Sequence, residues 1–248
     1  MAKVFKHYSL KQKIFMILTF IFYVAFLFMI INVIRNYKGD VADTAFIVIG
    51  VIALGFGILN EYLKLQYNEA LWYLNFKLDP DKASDIYNNL CKKDIFGLYK
   101  KDRSLFDVMV YLEKNDPNKV LEIIKSDEKK FNSNVETLLI RLYYEMRAHL
   151  LLGHTKKINE IYMDVQNIEK MKRKPKIFQY DEFHAMKQLA LNNKGNAYEY
   201  FKKVNMENMN PKEQKYILEN LIKLAPRTEV ENYQNMLEKL MEKIDESI

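Results

Sequence analysis

Twenty-one residues from Ile14 to Ile34 carry no charge, and after a short polar stretch a second apolar run extends from Ala45 to Leu59. At 1.5 Å per helical residue the first run covers about 31 Å, enough to cross a hydrocarbon core of ~30 Å. The pattern predicts a membrane hairpin over residues 1–60, with spans near 14–34 and 42–60, and a polar region of its own over 61–248. A cleaved leader is the competing reading. Its apolar stretch would be shorter and end in small residues, whereas this one leads into Arg35, Asn36, Tyr37 and Lys38. Gly50, Ala53 and Gly57 share one face of the second span and would let its helix approach the first closely.

Beyond Asn60 the pattern changes to helical stripes. No Gly or Pro interrupts Asn60 to Asp79, so the second span is expected to run on as helix into the polar region. Past it, strand-like alternation is almost lacking, and Pro80, Gly97, Pro117, Gly153, Pro175, Gly195, Pro211 and Pro226 punctuate the chain. Helices are predicted over 61–77, 81–93, 103–114, 117–126, 133–152, 155–170, 176–192, 195–204, 211–224 and 228–245. The fold class is all-α. The second helices of successive pairs carry Ala83 with Tyr87 and Leu90, Val120 with Ile124, Ile158 with Tyr162 and Val165, Ala197 with Phe201 and Val204, and Tyr233 with Leu237 and Leu240. Their first members are 37, 38, 39 and 36 residues apart. Positions i, i+4 and i+7 form one helical stripe, and a stripe in every helix pair is what stacked hairpins need to bury a continuous core.

On these residues the chain resembles the tetratricopeptide-repeat family. The run from Leu150 to Tyr162 has the family's turn glycine at Gly153, its packing position at Ile158 and its aromatic at Tyr162; Asn193 to Phe201 is similar with a shortened turn, and the Asp-Pro pairs at Asp79 and Asp116 share its character. The period exceeds the family's 34, no unit carries every family position, and Asp127 stands where the second pair calls for an apolar residue. A non-repetitive helical domain is the alternative architecture. The resemblance implies protein or peptide binding on a superhelical surface without catalysis, the inner faces of first helices lining the groove. That points to Arg141, Tyr144 and Arg147 on one helix and Tyr180, Phe183 and Lys187 on the next, with packing between repeats as the alternative role for each.

The net charge of +6 divides unevenly. Lys3, Lys6, Lys11, Lys13, Arg35 and Lys38 against Asp40 and Asp43 give the first sixty residues +4, leaving +2 for the remainder. A near-neutral helical region gives no electrostatic reason to expect nucleic acid. Four lysines ahead of the first span, against two basic residues in the connecting loop, place the N-terminus and the C-terminal region in the cytoplasm by the positive-inside rule. Richness in Lys, Asn and Ile suggests a bacterial, AT-biased source, making the membrane a plasma membrane. Within the polar region Lys170, Lys172, Arg173, Lys174 and Lys176 form the densest basic run, a candidate for anionic lipid and otherwise a solvated interhelical loop.

Chemistry is sparse. The single cysteine, Cys91, permits neither an internal disulfide nor a thiolate metal cage. Glu145, His149 and His154 cluster without a metal-binding spacing, and His184 beside Asp181 and Glu182 reads as an ordinary helix-face histidine. No glycine-rich phosphate loop is present. No enzyme activity, metal or cofactor is expected. Two classes of function follow: a membrane-anchored adaptor or scaffold binding proteins or peptides, or a structural subunit of a membrane transport or secretion complex.

Overall fold

The computed structural model describes residues 10–37, 39–171, 177–207 and 209–246, and they form an all-α protein with no strand among them. The helices are α1 (Leu10–Arg35), α2 (Val41–Asn75), α3 (Pro80–Lys93), α4 (Arg103–Glu113), α5 (Pro117–Ser126), α6 (Glu128–Phe131), α7 (Val135–Leu151), α8 (Thr155–Lys170), α9 (Tyr180–Ala190), α10 (Lys194–Lys203), α11 (Pro211–Leu224) and α12 (Arg227–Glu246). A 3-10 turn, Lys100–Asp102, precedes α4. The chain divides into two compact units, one of residues 1–70 and 86–95, the other of 71–85 and 96–248.

In the first unit α1 and the opening part of α2 are long and apolar enough to cross a bilayer. Their apolar side chains point outward: Phe20, Phe22 and Phe28 are each more than 60% exposed, and Ile30 is one of the few that is buried. The small-residue face of α2 turns toward α1. A Cβ at Gly57 would lie 2.7 Å from the Tyr23 ring, and one at Gly50 would lie 3.1 Å from Ile30. α2 continues without a break to Asn75, as the absence of Gly and Pro predicted.

In the second unit the hairpins repeat. Four turn residues have left-handed backbone, Leu78, Asn115, Gly153 and Asn192, and they are 37, 38 and 39 residues apart. Each is followed by a residue at the helix N-cap: Asp79, Asp116, His154 and Asn193. Five residues after each turn residue stands Ala83, Val120, Ile158 or Ala197, every one 0% exposed. Turn and stripe therefore keep the same register. The amides of Asp116, His154 and Asn193 donate to the carbonyls of Tyr111, His149 and Gln188, each at 2.9 Å, closing the preceding helix in the 6→1 bond that a left-handed residue permits. The next helix starts at once, because Asp79, Asp116 and Asn193 accept from the amides of Lys82, Lys119 and Asn196.

The stripe itself is buried at Tyr87, Leu90, Ile124, Val165, Phe201, Val204, Tyr233 and Leu240, whereas Tyr162 and Leu237 are half-buried. Asp127 interrupts it for a local reason. α5 ends at Ser126, and the Asp127 carboxylate accepts from the Ser104 hydroxyl at 2.6 Å, while Phe131 on the short α6 supplies the fully buried apolar group instead. Helices pack on near neighbours in sequence: α4 on α5, α5 on α7, α7 on α8 and α9, and so on to α11 on α12. One apolar core joins α4 through α9, and a second joins Ala185 to α10, α11 and α12. Lys77 also donates to the carbonyl of Ile244, 2.6 Å away and 167 residues along the chain.

The last pair departs from the pattern. Its turn runs through an extended Ala225 and Pro226, and no residue there has positive φ.

Candidate functional site

The first helices bring a set of charged and phenolic groups together. Arg147 on α7 lies with its guanidinium carbon 3.8 Å from the Tyr216 ring centroid on α11 and 5.8 Å from that of Tyr143. The Tyr143 hydroxyl donates to Glu182 Oε2 at 3.0 Å, and Glu182 Oε1 accepts from the Gln179 amide, which fixes the start of α9. Lys212, in the first turn of α11, is 5% exposed and Glu182 is 1% exposed. Glu113 at the end of α4 and Glu213 complete the set electrostatically. No ion pair within 4.0 Å joins Arg147 or Lys212 to a carboxylate among the described residues.

Burial sets the charge states. It pushes the Glu182 carboxyl up to about 7, against the lowering effect of its hydrogen bonds from Gln179 and Tyr143. It also holds the Lys212 ammonium below its usual range, although Glu113 opposes this. Around Arg147 burial works against the charge, but Tyr143, Tyr216 and Glu113 more than offset it, so the guanidinium stays cationic. The Tyr143 and Tyr144 phenols are raised by the same burial and remain neutral. The Tyr216 hydroxyl is buried without a hydrogen-bond partner. This arrangement can hold α7, α9 and α11 in register through one cation stacked on aromatic faces.

The residues assigned to a binding groove separate on this structure. Arg147 joins the charged set. Phe183 is 0% and Tyr144 5% exposed, and their rings meet Tyr143 and Phe178 edge to face in the core. Tyr180 is half-buried beside Phe183. Arg141 donates to Asn132 at 2.7 Å and pairs with Glu145 at 3.7 Å and Glu128 at 3.8 Å. Lys187 bonds Asn159 on α8 and lies over the Tyr162 ring. Lys170 is exposed at the end of α8, and Lys172, Arg173, Lys174 and Lys176 lie outside the described residues, as do Lys3, Lys6 and Lys38.

The remaining histidines find mundane partners. His184 Nδ1 is 2.8 Å from the Tyr162 hydroxyl and Nε2 is 3.3 Å from Glu169, a chain that links α8 to α9. Burial raises the Tyr162 pKa, so its phenol stays protonated at neutral pH. His149 and His154 share a 3.2 Å contact at the α7–α8 turn, where burial and then His154 lower the His149 pKa. No group of three or more His, Cys, Asp or Glu side chains able to hold a metal occurs among the described residues. Cys91 is buried. In the first unit α1 and α2 enclose an apolar groove of about 470 Å³ lined by residues that include Phe20, Tyr23, Leu27, Leu54 and Ile58, with Glu61 and Tyr62 among the lining.

Sequence reasoning missed Lys212, Tyr216, Glu182 and Glu113 as a group. Lys212 and Tyr216 are four apart on one helix, the only local signal available. No family model matches the chain, and comparisons with curated proteins and with solved structures find no match either.

Proposed function

We propose that the chain is a non-catalytic adaptor of the plasma membrane. α1 and the first part of α2 span the bilayer, the N-terminus and the hairpin array are cytoplasmic, and the array is tetratricopeptide-like and binds a protein or peptide partner. The observation that carries this reading is the shared register of left-handed turn, cap and buried stripe at 37, 38 and 39 residues. Hairpins that pack chiefly on their neighbours leave one extended surface for a partner. Tethering to a plane raises the local concentration of membrane-associated partners, so a modest interface suffices. Lys170 and the basic residues after it add a contact with anionic lipid.

Co-purification of the full chain from membranes in mild detergent tests the reading. Recovery of soluble proteins supports the adaptor. Recovery of polytopic transport proteins instead supports a structural subunit of a transport or secretion complex, and recovery of neither sinks both. Orientation is tested separately. Because Cys91 is buried, a cysteine at the exposed position of Lys156 is the better reporter. In intact cells Lys156→Cys should resist an impermeant thiol reagent; labelling would reverse the orientation.

A further inference from the structure

The α1 residues that line the groove between α1 and α2 run from Met16 to Leu27, about 16.5 Å of helix, and all of its lining lies in the first unit. A volume of about 470 Å³ over that length gives a mean cross-section of about 30 Å². A partner helix, at least 10 Å across, needs about 80 Å² and does not fit. One extended hydrocarbon chain, about 4–5 Å across at van der Waals contact, fills about 15–20 Å² and does fit.

Two features set the groove apart from a face merely wetted by lipid. The first is the Tyr23 hydroxyl, which makes no hydrogen bond with any described residue although Tyr23 lines the groove. It stands level with Gly57, 2.7 Å from the position a Cβ would take there. A hydroxyl inside an apolar layer requires an acceptor, because no water is at hand to provide one. The second feature is the rim. Glu61 and Tyr62 form this end of the lining; the Lys64 ammonium is 3.5 Å from the Glu61 carboxylate, and Lys93 donates to the Tyr62 hydroxyl at 2.8 Å. Two ammoniums and one carboxylate give the rim one positive charge, which a single phosphodiester neutralises. Along α2, Glu61 is four residues beyond Gly57, or about 6 Å. In a glycerophospholipid five bonds separate phosphorus from the nearer ester carbonyl carbon, about 6 Å when extended. Phosphate and ester therefore match the two polar levels of the groove, and the acyl chain continues toward Leu27 and Leu54.

We propose that the groove binds one anionic phospholipid, with one acyl chain between α1 and α2, its ester carbonyl accepting from the Tyr23 hydroxyl and its phosphate on Lys64 and Lys93. This rests on the reading of α1 and α2 as membrane spans.

The test uses full-length protein in nanodiscs with phosphatidylglycerol that carries a diazirine on its acyl chain, irradiated and mapped by mass spectrometry. Labelling should concentrate at Leu27, Leu54 and Ile58 over the outward-facing Phe22, Phe28 and Ile49. Excess unlabelled phosphatidylglycerol should suppress the groove label, and excess phosphatidylcholine should not. Lys93→Gln and Tyr23→Phe should each reduce the groove label about fivefold, the first by removing a charge from the phosphate and the second by removing one hydrogen bond, with the label at Phe22 unchanged. Tyr23→Phe keeps the ring against Gly57, so packing of the two helices is preserved. Equal labelling of groove and outward faces, or equal competition by both lipids, overturns the proposal and leaves the membrane reading standing. A labelled outward face with an unlabelled groove overturns it as well and points to protein over the groove. If neither face is labelled, the spans do not lie in the bilayer, and the membrane reading falls with the proposal.

Discussion

The hairpin of α1 and α2 and the array from α4 to α12 are both built of helices, yet they place apolar side chains in opposite ways. On α1 large apolar residues surround the helix, and Ile14, Phe15, Ile17, Leu18, Phe20, Ile21 and Phe22 are all exposed. On α5, α8 and α10 the fully buried apolar residues follow a stripe whose first members, Val120, Ile158 and Ala197, are sealed from solvent, while Met163 on α8 is exposed. The solvent each region is suited to explains the difference. Water rewards a helix for hiding one face, whereas hydrocarbon allows every face to be apolar and requires only that backbone groups be satisfied within the helix.

Aspartate placed in either region exposes that contrast. Ile158→Asp would bury an unpaired carboxylate in the stripe, and thermal melts of the full chain in micelles followed by circular dichroism should show a loss of several kcal/mol, up to about 5. Lys156→Asp, exposed two residues earlier, should cost under about 0.5 kcal/mol. Equal melts for the two would remove the stripe. Ile21 is 55% exposed and in water would tolerate aspartate almost freely. In a bilayer, Ile21→Asp should cost about 3 kcal/mol of insertion, read as a larger fraction extracted by alkaline carbonate. Unchanged extraction would put α1 in water.

Acidity distinguishes the regions next. Glu182 in the array is raised to about 7 from an ordinary 4.5, chiefly by burial, with Tyr143, Arg147 and Glu213 around it. Between these values the folded state keeps a proton that the unfolded chain has released. Stability should therefore fall as pH rises from about 4.5 to about 7, by at most about 3 kcal/mol, and level off above that. Glu182→Gln should flatten this part of the pH profile of urea midpoints; an unaltered profile would mean that the carboxylate is solvated. The smallest effect belongs to the hairpin of α1 and α2. Gly57→Ala forces a Cβ against the Tyr23 ring and should lower the melting transition by the equivalent of about 1–3 kcal/mol, whereas Gly55→Ala, with nothing within 4 Å, should be close to neutral. If both are neutral, the two helices are not held as closely as their geometry implies.

Much of the helical layout was legible because it depends on local chemistry. Pro117 and Pro211 start helices where expected, and the α5, α8 and α11 boundaries match the periodic pattern. Of the four left-handed turn residues, Gly153 alone announces itself by type. Asn115 and Asn192 are moderately suited to that conformation, and Leu78 is not, so the recurrence of the turn was hidden behind changing residue identities. The start of α9 came later than the pattern suggested, because Phe178 stacks on Tyr143 at 3.7 Å and belongs to the core before the helix begins. Phe183 and Tyr144 illustrate a different limit. An aromatic on a first helix can face a partner or the adjacent hairpin, and periodicity does not say which. The charged set around Arg147 was harder still, since its members come from four helices and meet through the fold alone.

The Lys77–Ile244 hydrogen bond bears on how the array is made as it leaves the ribosome. Most of its helix contacts join neighbours in sequence, so successive hairpins can form within microseconds to milliseconds as they emerge, without waiting for distant partners. The bond to Ile244 is different: its acceptor is synthesised 167 residues after its donor. At 5–20 residues per second, the 167 residues between donor and acceptor take on the order of ten seconds to translate, so this link closes long after the first hairpin has folded.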